Sequence, residues 1–560
     1  MSEFSLSKSR PAKGSGALGP VRDGLAALSG WQALFVAAVL GAIGNMAFAP
    51  FHVVAALGVS YTGLIWLIDG GRRKLRWGWS IFARSFAFFF GHYLAGMHWI
   101  AAAFLVDAQS HALFIWIPII LLPALLASVM GLAILGAGAF WSSSPSRVFM
   151  FTVFFMIGEL VRGHLFGGFP WNLPGTAWMP GAAVSQLASL GGVYWLSLVT
   201  VFILASPAAL SDDRTTSGLA VRAMPLFLSA IVLSLGWSWG AQRLEARTSF
   251  TEQQVVLIDA GIPLDQKYET ASDAQLSRYL ELLGYAQFDN SDIVVWPESP
   301  IASRGIRETD GSVRVYGIAQ WPDYLDALGV HLGARTLITG SEIYGLSYED
   351  PAYNALVVFE GRTAALGPRV TYEKHRLVPL GELAAVNIIP FGERIAGILP
   401  TSLQNMATSG FTPGAGPELV SLPGVPAFSP LVCYEALFPA ISRETAPEAD
   451  WLVNISLDGW FGTGIGPQQH YAQARFRAIE TGRPLARAAS RGVTAMVDAY
   501  GRETARGSRQ PGDPDGWQAS MVRTPLPEKL AFTVYLRYGM VFYWVSLVLL
   551  VGLGAISWRR

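Results

Sequence analysis

The sequence predicts an α-helical polytopic membrane domain of eight spans, seven N-terminal and one C-terminal, joined to an extracytoplasmic layered α/β domain. Three observations predict it. The 560 residues carry 40 basic and 40 acidic side chains, yet only 20 of these 80 lie in the first 242 residues. That is about 8% there against roughly 19% in the remaining 318, where soluble domains average about 25%. Charge vanishes again over Tyr538–Trp558. Between these blocks, short β-rich runs alternate with helical stretches. With 52% hydrophobic residues and a mean hydropathy of +0.37, the chain is neither purely soluble nor disordered. A net charge of zero gives no reason to expect nucleic acid, and the single cysteine, Cys433, cannot form an internal disulfide.

A bilayer core of about 30 Å takes some 20 apolar residues per helical span. No charge interrupts Gly24–Ile68, which is long enough for two spans and is divided at Pro50. Ser85–Val106 and Ala112–Trp141 supply the third and fourth. The fifth starts at Val148 and is interrupted by Glu159 and Arg162, spaced i,i+3. This pair reads either as an intramembrane functional site or as an interfacial pair near Gly163–Gly168. Gly191–Leu210, Ala223–Gln242 and Tyr538–Trp558 complete the set. His92 and His98 in span three have no neighbouring carboxylates in sequence, so no metal site is expected.

Lys and Arg concentrate on one side: Lys8, Arg10, Lys13 and Arg22; Arg72, Arg73, Lys74 and Arg76; Arg147; Arg214 and Arg222; Arg559 and Arg560. The positive-inside rule makes that side cytoplasmic. The expected organisation is a cytoplasmic tail (1–30), a membrane domain (31–242), a periplasmic catalytic domain (243–537) and a C-terminal span with a short tail (538–560). The long uncharged block exceeds a signal-peptide core.

In the outer domain, strands are expected at Gln254–Ile258, Ile293–Trp296, Thr336–Thr339, Ala355–Phe359, Pro430–Cys433, Trp451–Ile455 and Thr494–Val497. Helices are expected at Ser272–Gln287, Tyr324–Leu332 and Gln468–Thr481, the last set between Gly466-Pro467 and Gly482. Such alternation argues for a layered α/β domain. Val386–Gly414, rich in Gly and Pro among apolar residues, is expected to form a mobile loop facing the membrane. No P-loop, dinucleotide fingerprint or metal-ligand cluster is present.

Three strings place reactive groups near strand ends: Trp296-Pro297-Glu298-Ser299, Tyr372-Glu373-Lys374-His375 and Val432-Cys433-Tyr434-Glu435. Strand ends are where α/β scaffolds present chemistry. An unperturbed thiol, with a pKa near 8.5, is only a few per cent thiolate at neutral pH. A carboxylate can take its proton, and an ammonium can stabilise the thiolate and an oxyanion. A lone strand-end cysteine is otherwise a small buried hydrophobe.

The Glu-Lys-Cys set resembles the nitrilase, or carbon–nitrogen hydrolase, superfamily. Combined with seven spans before it and one after, the chain resembles the bacterial apolipoprotein N-acyltransferases. The resemblance includes Gly168–Trp171 (GFPW) and Ile455–His470 (ISLDGWFGTGIGPQQH). It implies a nitrilase-like α-β-β-α sandwich, with Glu298 as general base, Lys374 as oxyanion-stabilising lysine and Cys433 as acylated nucleophile. It further implies supporting roles for Glu382, Tyr434 and Glu435, with Glu382 hydrogen-bonded to Lys374; Glu382 also reads as a structural ion pair with Arg376 or Lys374. Tyr268 stands where the family carries a functional Trp, and Leu457 replaces the Asn of its S-N-D-A-W-F-G string. Tyr268, Trp460, Phe461 and Trp171 are the expected substrate-positioning residues. The last three also fit an interfacial aromatic belt.

The implied activity moves an acyl chain from a phospholipid, phosphatidylethanolamine at sn-1, through a Cys433 thioester to the N-terminal amine of a diacylglyceryl-cysteine apolipoprotein. This is ping-pong chemistry without a cofactor, in the inner membrane and surrounded by its lipids. Two rivals share parts of the pattern. One is a membrane-tethered nitrilase-type amidase, for which a single anchor would suffice. The other is a transporter or sensor with a ligand-binding outer domain, for which no inverted repeat is evident.

Overall fold

The computed structural model describes residues 18–106, 114–212, 218–269, 272–285, 289, 292–301, 303–308, 312–317, 324–347, 350–361, 368–379, 381–384, 392, 394, 397, 410–509 and 518–558. Most of the expected loop Val386–Gly414 lies outside them, as do Lys8, Arg10, Lys13, Arg214, Arg559 and Arg560.

Among the described residues, five helices are long and apolar enough to cross a membrane: Gly30–Ala47, Trp77–Leu105, Ile117–Ala139, Val184–Ser211 and Leu219–Arg243. Val541–Ala555 is a shorter apolar helix. The expected second and fifth spans are helices too, Ala55–Arg72 and Ser146–Arg162, but they carry Asp69 and Arg72, and Arg147, Glu159 and Arg162, respectively. A helix over Gly19–Ala27 occupies part of the segment expected as a tail. Pro50 sits in the turn between the first two apolar helices, as its position predicts.

Helices Gly30–Gly44 and Trp77–Met97 meet backbone to backbone. A Cβ on Gly41 would lie 1.9 Å from the Phe88 carbonyl oxygen, and one on Gly91 2.1 Å from that of Ala38. Small residues allow such approach where lipid offers no hydrophobic drive between helices. Three cations of the orientation count, Arg22, Arg147 and Arg222, are buried in the bundle rather than in water. Arg22 Nε is 3.3 Å from Asp69 Oδ2, and Arg147 pairs with Asp212 and with Asp69, which also accepts from Trp141 Nε1 at 2.9 Å. Pairing is what makes charges tolerable at that depth.

Among the described residues, the α/β domain contains two sheets. The first is built from β1 (Phe250–Asp259), β2 (Ile293–Val295), β3 (Ser303–Arg307), β4 (Val313–Gly317), β5 (Thr336–Tyr344), β6 (Tyr353–Glu360), β7 (Val370–Glu373), β14 (Ser508–Arg509) and β15 (Ser520–Pro527). The second runs β13-β12-β11-β10-β9-β8, with β8 Val420–Leu422, β9 Val425–Val432, β10 Trp451–Leu457, β11 Leu485–Ser490, β12 Ala495–Val497 and β13 Glu503–Arg506. In the first sheet, β1, β2 and β5 are parallel neighbours, and β5 pairs antiparallel with β6 along its other edge. The two-residue period of a strand explains the layering. From β1, Val256 and Ile258 pack toward helix Ser272–Tyr285, while Val255 and Leu257 join Val432, Val453 and Ile455 of the second sheet in a shared core. Helix Gly466–Thr481 covers the other face of the second sheet and packs on membrane helix Ala188–Ala205. The result is an α-β-β-α stack whose outer helical layer rests on the membrane helices.

Candidate active site

Three strand ends converge. β2 delivers Trp296-Pro297-Glu298, anchored by Trp296 N–H donating to the Ile338 carbonyl at 2.9 Å. The Glu298 segment lies so close to β5 that a Cβ on Gly340 would fall 2.7 Å from Ser299 N and 2.8 Å from Glu298 Cα. β7 ends at Glu373, and Lys374 N–H donates to the Asn354 carbonyl at 2.8 Å. β9 ends at Val432, where Cys433, at φ +48°, opens a 3₁₀ turn over Cys433–Leu437. A non-glycine residue in this region costs of order 1–3 kcal/mol and persists only where its surroundings enforce it.

Glu435 does much of that enforcing. Buried, it accepts from Val432 N at 2.8 Å, Tyr372 OH at 2.9 Å, His375 N at 2.8 Å and Arg376 N at 3.2 Å. It thus ties the cysteine turn to the segment holding Lys374. On the other side of the turn, His470 Nε2 is 3.2 Å from the Cys433 carbonyl oxygen. Its Nδ1 is 2.9 Å from Asp458, which also accepts from Arg487 at 2.7 Å and Ser456 at 2.7 Å.

Lys374 Nζ donates to Glu298 Oε1 at 3.2 Å and to Glu382 Oε1 at 2.7 Å. The Asn354 side-chain amide bridges the same two oxygens, 2.7 Å from each. Glu298 Oε2 accepts from the Leu457 N–H at 3.0 Å, and the Cys433 thiol lies close enough to the carboxylate for each to act on the other's charge. Glu382 Oε2 is held by Val378 N at 2.9 Å. Of the two ion pairs open to Glu382, the structure forms the one with Lys374.

All three central groups are buried. Burial pushes the Glu298 carboxyl up, but the Lys374 ammonium and the hydrogen bonds from Asn354 and Lys374 outweigh it and hold Glu298 below the usual carboxylate range. Burial likewise opposes charge on Lys374, yet Glu298 and Glu382 keep it firmly protonated. Burial, then the Glu298 charge, drives the Cys433 thiol well above its ordinary value, with Lys374 opposing. The resting state is therefore carboxylate, ammonium and neutral thiol, a thiol that ionises only by passing its proton on.

Tyr434 donates from its hydroxyl to the Gly168 carbonyl at 2.6 Å. Trp171 is 1% exposed and donates to Gln469 at 2.8 Å; its ring stacks on His470 at 5.6 Å and meets Phe461 edge-on at 5.5 Å. Phe461 also packs against Trp99 at 4.8 Å. Trp171 is accordingly part of the packed seam between the membrane helices and the α/β domain rather than an exposed belt residue. Trp460 is half-buried in the turn Asp458–Phe461. Tyr268 lies in helix Leu264–Glu269, and its side chain lies outside the described residues.

Sequence reasoning passed over Asn354, the Leu457 N–H and the Asp458–His470–Arg487 group. At Leu457 the contact to Glu298 is made by main chain, so the side chain takes no part in it. Asn354 follows no motif and becomes visible only when β6 is paired with β7.

The sequence matches the family described as apolipoprotein N-acyltransferase N-terminal domain over residues 40–206, and that described as carbon-nitrogen hydrolase over 260–512. It is 33% identical to the apolipoprotein N-acyltransferase of Rhizobium rhizogenes, over 84% of this chain and 87% of that one. It is 32% identical to that of Rhodopseudomonas palustris over 94% and 95%, and 32% identical to that of Caulobacter vibrioides over 93% and 94%. Among solved structures, an amidase from Nesterenkonia sp. aligns with 53% of this chain and 97% of its own, at 17% identity and a TM-score of 0.32. Identity at this level along most of both chains establishes that the chain belongs to the apolipoprotein N-acyltransferase family.

Proposed function

We propose that the chain transfers an acyl group from a phospholipid to the N-terminal amine of a diacylglyceryl-cysteine apolipoprotein by a two-step, ping-pong route. Glu298 accepts the Cys433 proton, and the thiolate attacks the sn-1 ester carbonyl of phosphatidylethanolamine. Among the described residues Lys374 donates to two carboxylates, leaving one of its three N–H groups for the oxyanion. Collapse expels the lyso-phospholipid alkoxide, which takes the proton from Glu298 and leaves a thioester. The apolipoprotein amine then attacks, gives its proton to Glu298, and the departing thiolate recovers it as the amide forms. Glu382 fixes Lys374, Glu435 and Tyr434 fix the cysteine turn, Phe461, Trp460 and Tyr268 position lipid, and Trp171, expected among them, supports Phe461 from within the seam.

The single observation that carries this reading is one buried carboxylate bonded to a buried ammonium, with the only thiol in the chain beside them at the end of β9. In this reading eight spans hold residues 243–537 on the periplasmic face of the inner membrane, supported by the one-sided cations and the apolar helices. Membrane helices suit the chemistry because each CH₂ drawn from lipid into water costs roughly 0.8 kcal/mol. A water-poor site also protects a thioester until the amine arrives. Kinship along nearly the whole chain favours transfer over the tethered amidase.

The test is intact-protein mass spectrometry after exposure to phosphatidylethanolamine, then to a diacylated lipopeptide. An acyl adduct that forms, disappears on adding the lipopeptide and is absent in Cys433→Ser supports the proposal. An adduct of equal yield in Cys433→Ser overturns it. A reporter active only in the cytoplasm, fused near Gly512, is expected to stay silent; activity there overturns the orientation.

A further inference from the structure

Arg162 and Glu159 lie near the end of a membrane helix, yet their bonds lead toward the cysteine turn. Arg162 is 2% exposed and Glu159 3%. The guanidinium donates from Nε to Glu159 Oε2 at 3.1 Å and again from Nη2 to the same oxygen. Its Nη1 reaches out of the helix to two main-chain carbonyls, Phe169 at 2.7 Å and Trp171 at 2.9 Å. The Phe169 N–H in turn donates to the Arg162 carbonyl at 2.9 Å, and the guanidinium lies over the Tyr93 ring at 5.5 Å. The Arg162 side chain therefore holds two carbonyls of the loop Gly163–Trp171, and its main-chain carbonyl holds the Phe169 N–H.

That loop holds the nucleophile. The Gly168 carbonyl receives the Tyr434 hydroxyl at 2.6 Å, and the Phe169 and Tyr434 rings are 6.2 Å apart. Tyr434 directly follows Cys433, whose backbone sits at the costly φ of +48°. Trp171 meanwhile stacks on His470, which faces the Cys433 carbonyl. A planar fork with several donors in fixed directions can satisfy a carboxylate and two carbonyls at once, which a lysine ammonium cannot do in the same geometry.

We infer that Arg162, oriented by Glu159, is a positioning residue for Cys433, acting through the Gly168 carbonyl and the Tyr434 hydroxyl. The membrane domain thereby supplies part of the support that holds the thiol against Glu298. This rests on the reading that Cys433 carries the acyl group.

The test is a double-mutant cycle in the full-length protein. Arg162→Met is expected to slow single-turnover acylation of Cys433 on the order of 10²-fold, the loss typical of misplacing a reacting group by about an ångström. KM for phospholipid is expected to stay within a few-fold. Tyr434→Phe should also slow acylation, and the double variant should be no slower than Arg162→Met alone, because both interrupt one chain of contacts. Arg162→Lys, with charge but no fork, should fall between. The pH profile of Cys433 alkylation by iodoacetamide, which needs no lipid, should shift in Arg162→Met. Arg147→Met serves as the comparison: it breaks a buried ion pair at the opposite end of the same helix, and its effect should multiply with that of Tyr434→Phe. The inference is overturned if Arg162→Met also multiplies with Tyr434→Phe, or if the folded fraction of Arg162→Met and Arg162→Lys acylates and alkylates as the unmodified protein does. Failure of the unmodified protein to acylate at Cys433 would instead remove the proposed chemistry, and this inference with it.

Discussion

Replacing Glu298 with Gln probes the site sharply because both carboxylate oxygens are engaged. Oε1 faces Lys374 at 3.2 Å and Asn354 at 2.7 Å, and Oε2 faces the Leu457 N–H at 3.0 Å. Glutamine keeps the volume but turns one oxygen into an NH₂ group. Either orientation then sets that group against donors, Lys374 and Asn354 in one case and Leu457 in the other. An unmatched buried donor costs about 1–3 kcal/mol, and Lys374 retains Glu382 at 2.7 Å, so the protein should lose stability in that range and remain folded. The kinetic loss should be larger, about 10²–10⁴-fold, as when a positioned base is removed. The pH dependence separates the two effects. Glu298 is held below the usual carboxylate range, so acylation by the unmodified protein should be flat from about pH 6 upward. In Glu298→Gln only bulk base is left to ionise a thiol pushed up by burial, and the rate should climb about tenfold per pH unit, as the thiolate fraction does. Time courses of the acyl adduct by intact mass, taken at a series of pH values, measure this. A flat profile at a near-normal rate would refute the assignment of Glu298 as base.

Gly340→Ala should displace the Glu298 segment, since the new Cβ meets Ser299 N at 2.7 Å; expected are a loss of about 1–3 kcal/mol in thermal unfolding and acylation slowed by roughly 10- to 100-fold. Asn354→Asp puts a third carboxylate between Glu298 and Glu382 and removes a donor to both, so the acid limb of the rate profile should move to higher pH; an unmoved limb would contradict the bridge. Burial alone would raise the Asp458 carboxyl, but Arg487 and His470 hold it well below the usual range. A depressed acid stabilises the fold above its unfolded pKa of about 4 and loses that contribution as pH falls through the folded value. Asp458→Asn should therefore lower stability at neutral pH by about 3–5 kcal/mol, the usual result of breaking a buried pair, and flatten the acid side of a melting-temperature series.

Much of the site could be read in sequence because strands end where apolar runs stop, and Glu298 and Cys433 each follow such a run, whereas Lys374 follows the mixed Val370–Glu373, where no strand was expected. Strands at Gln254–Ile258, Ala355–Phe359 and Trp451–Ile455 were visible for the same reason, and all fall inside β1, β6 and β10. Strands β3, β4, β7, β8, β11, β13, β14 and β15 lack such a run and were not. Asn354 and Glu382 are 28 residues apart and meet only through pairing of β6 with β7. The Leu457 contact uses an amide every residue but proline possesses, so no residue type announces it. Charge inside an apolar stretch was legible as an anomaly at Glu159 and Arg162, but their targets, two carbonyl groups, carry no signature. Arg22 and Arg147 look like loop cations in sequence, and only the helix ends that bring Asp69 and Asp212 to them show otherwise.

The seam at Gly41 and Gly91 bears on how a fatty tail travels. Two rods whose main chains touch leave no gap for a methylene group, and parting them would forfeit contact along the whole crossing. Helices Gly30–Gly44 and Trp77–Met97 therefore form a spine closed to a fatty chain along the crossing at Gly41 and Gly91.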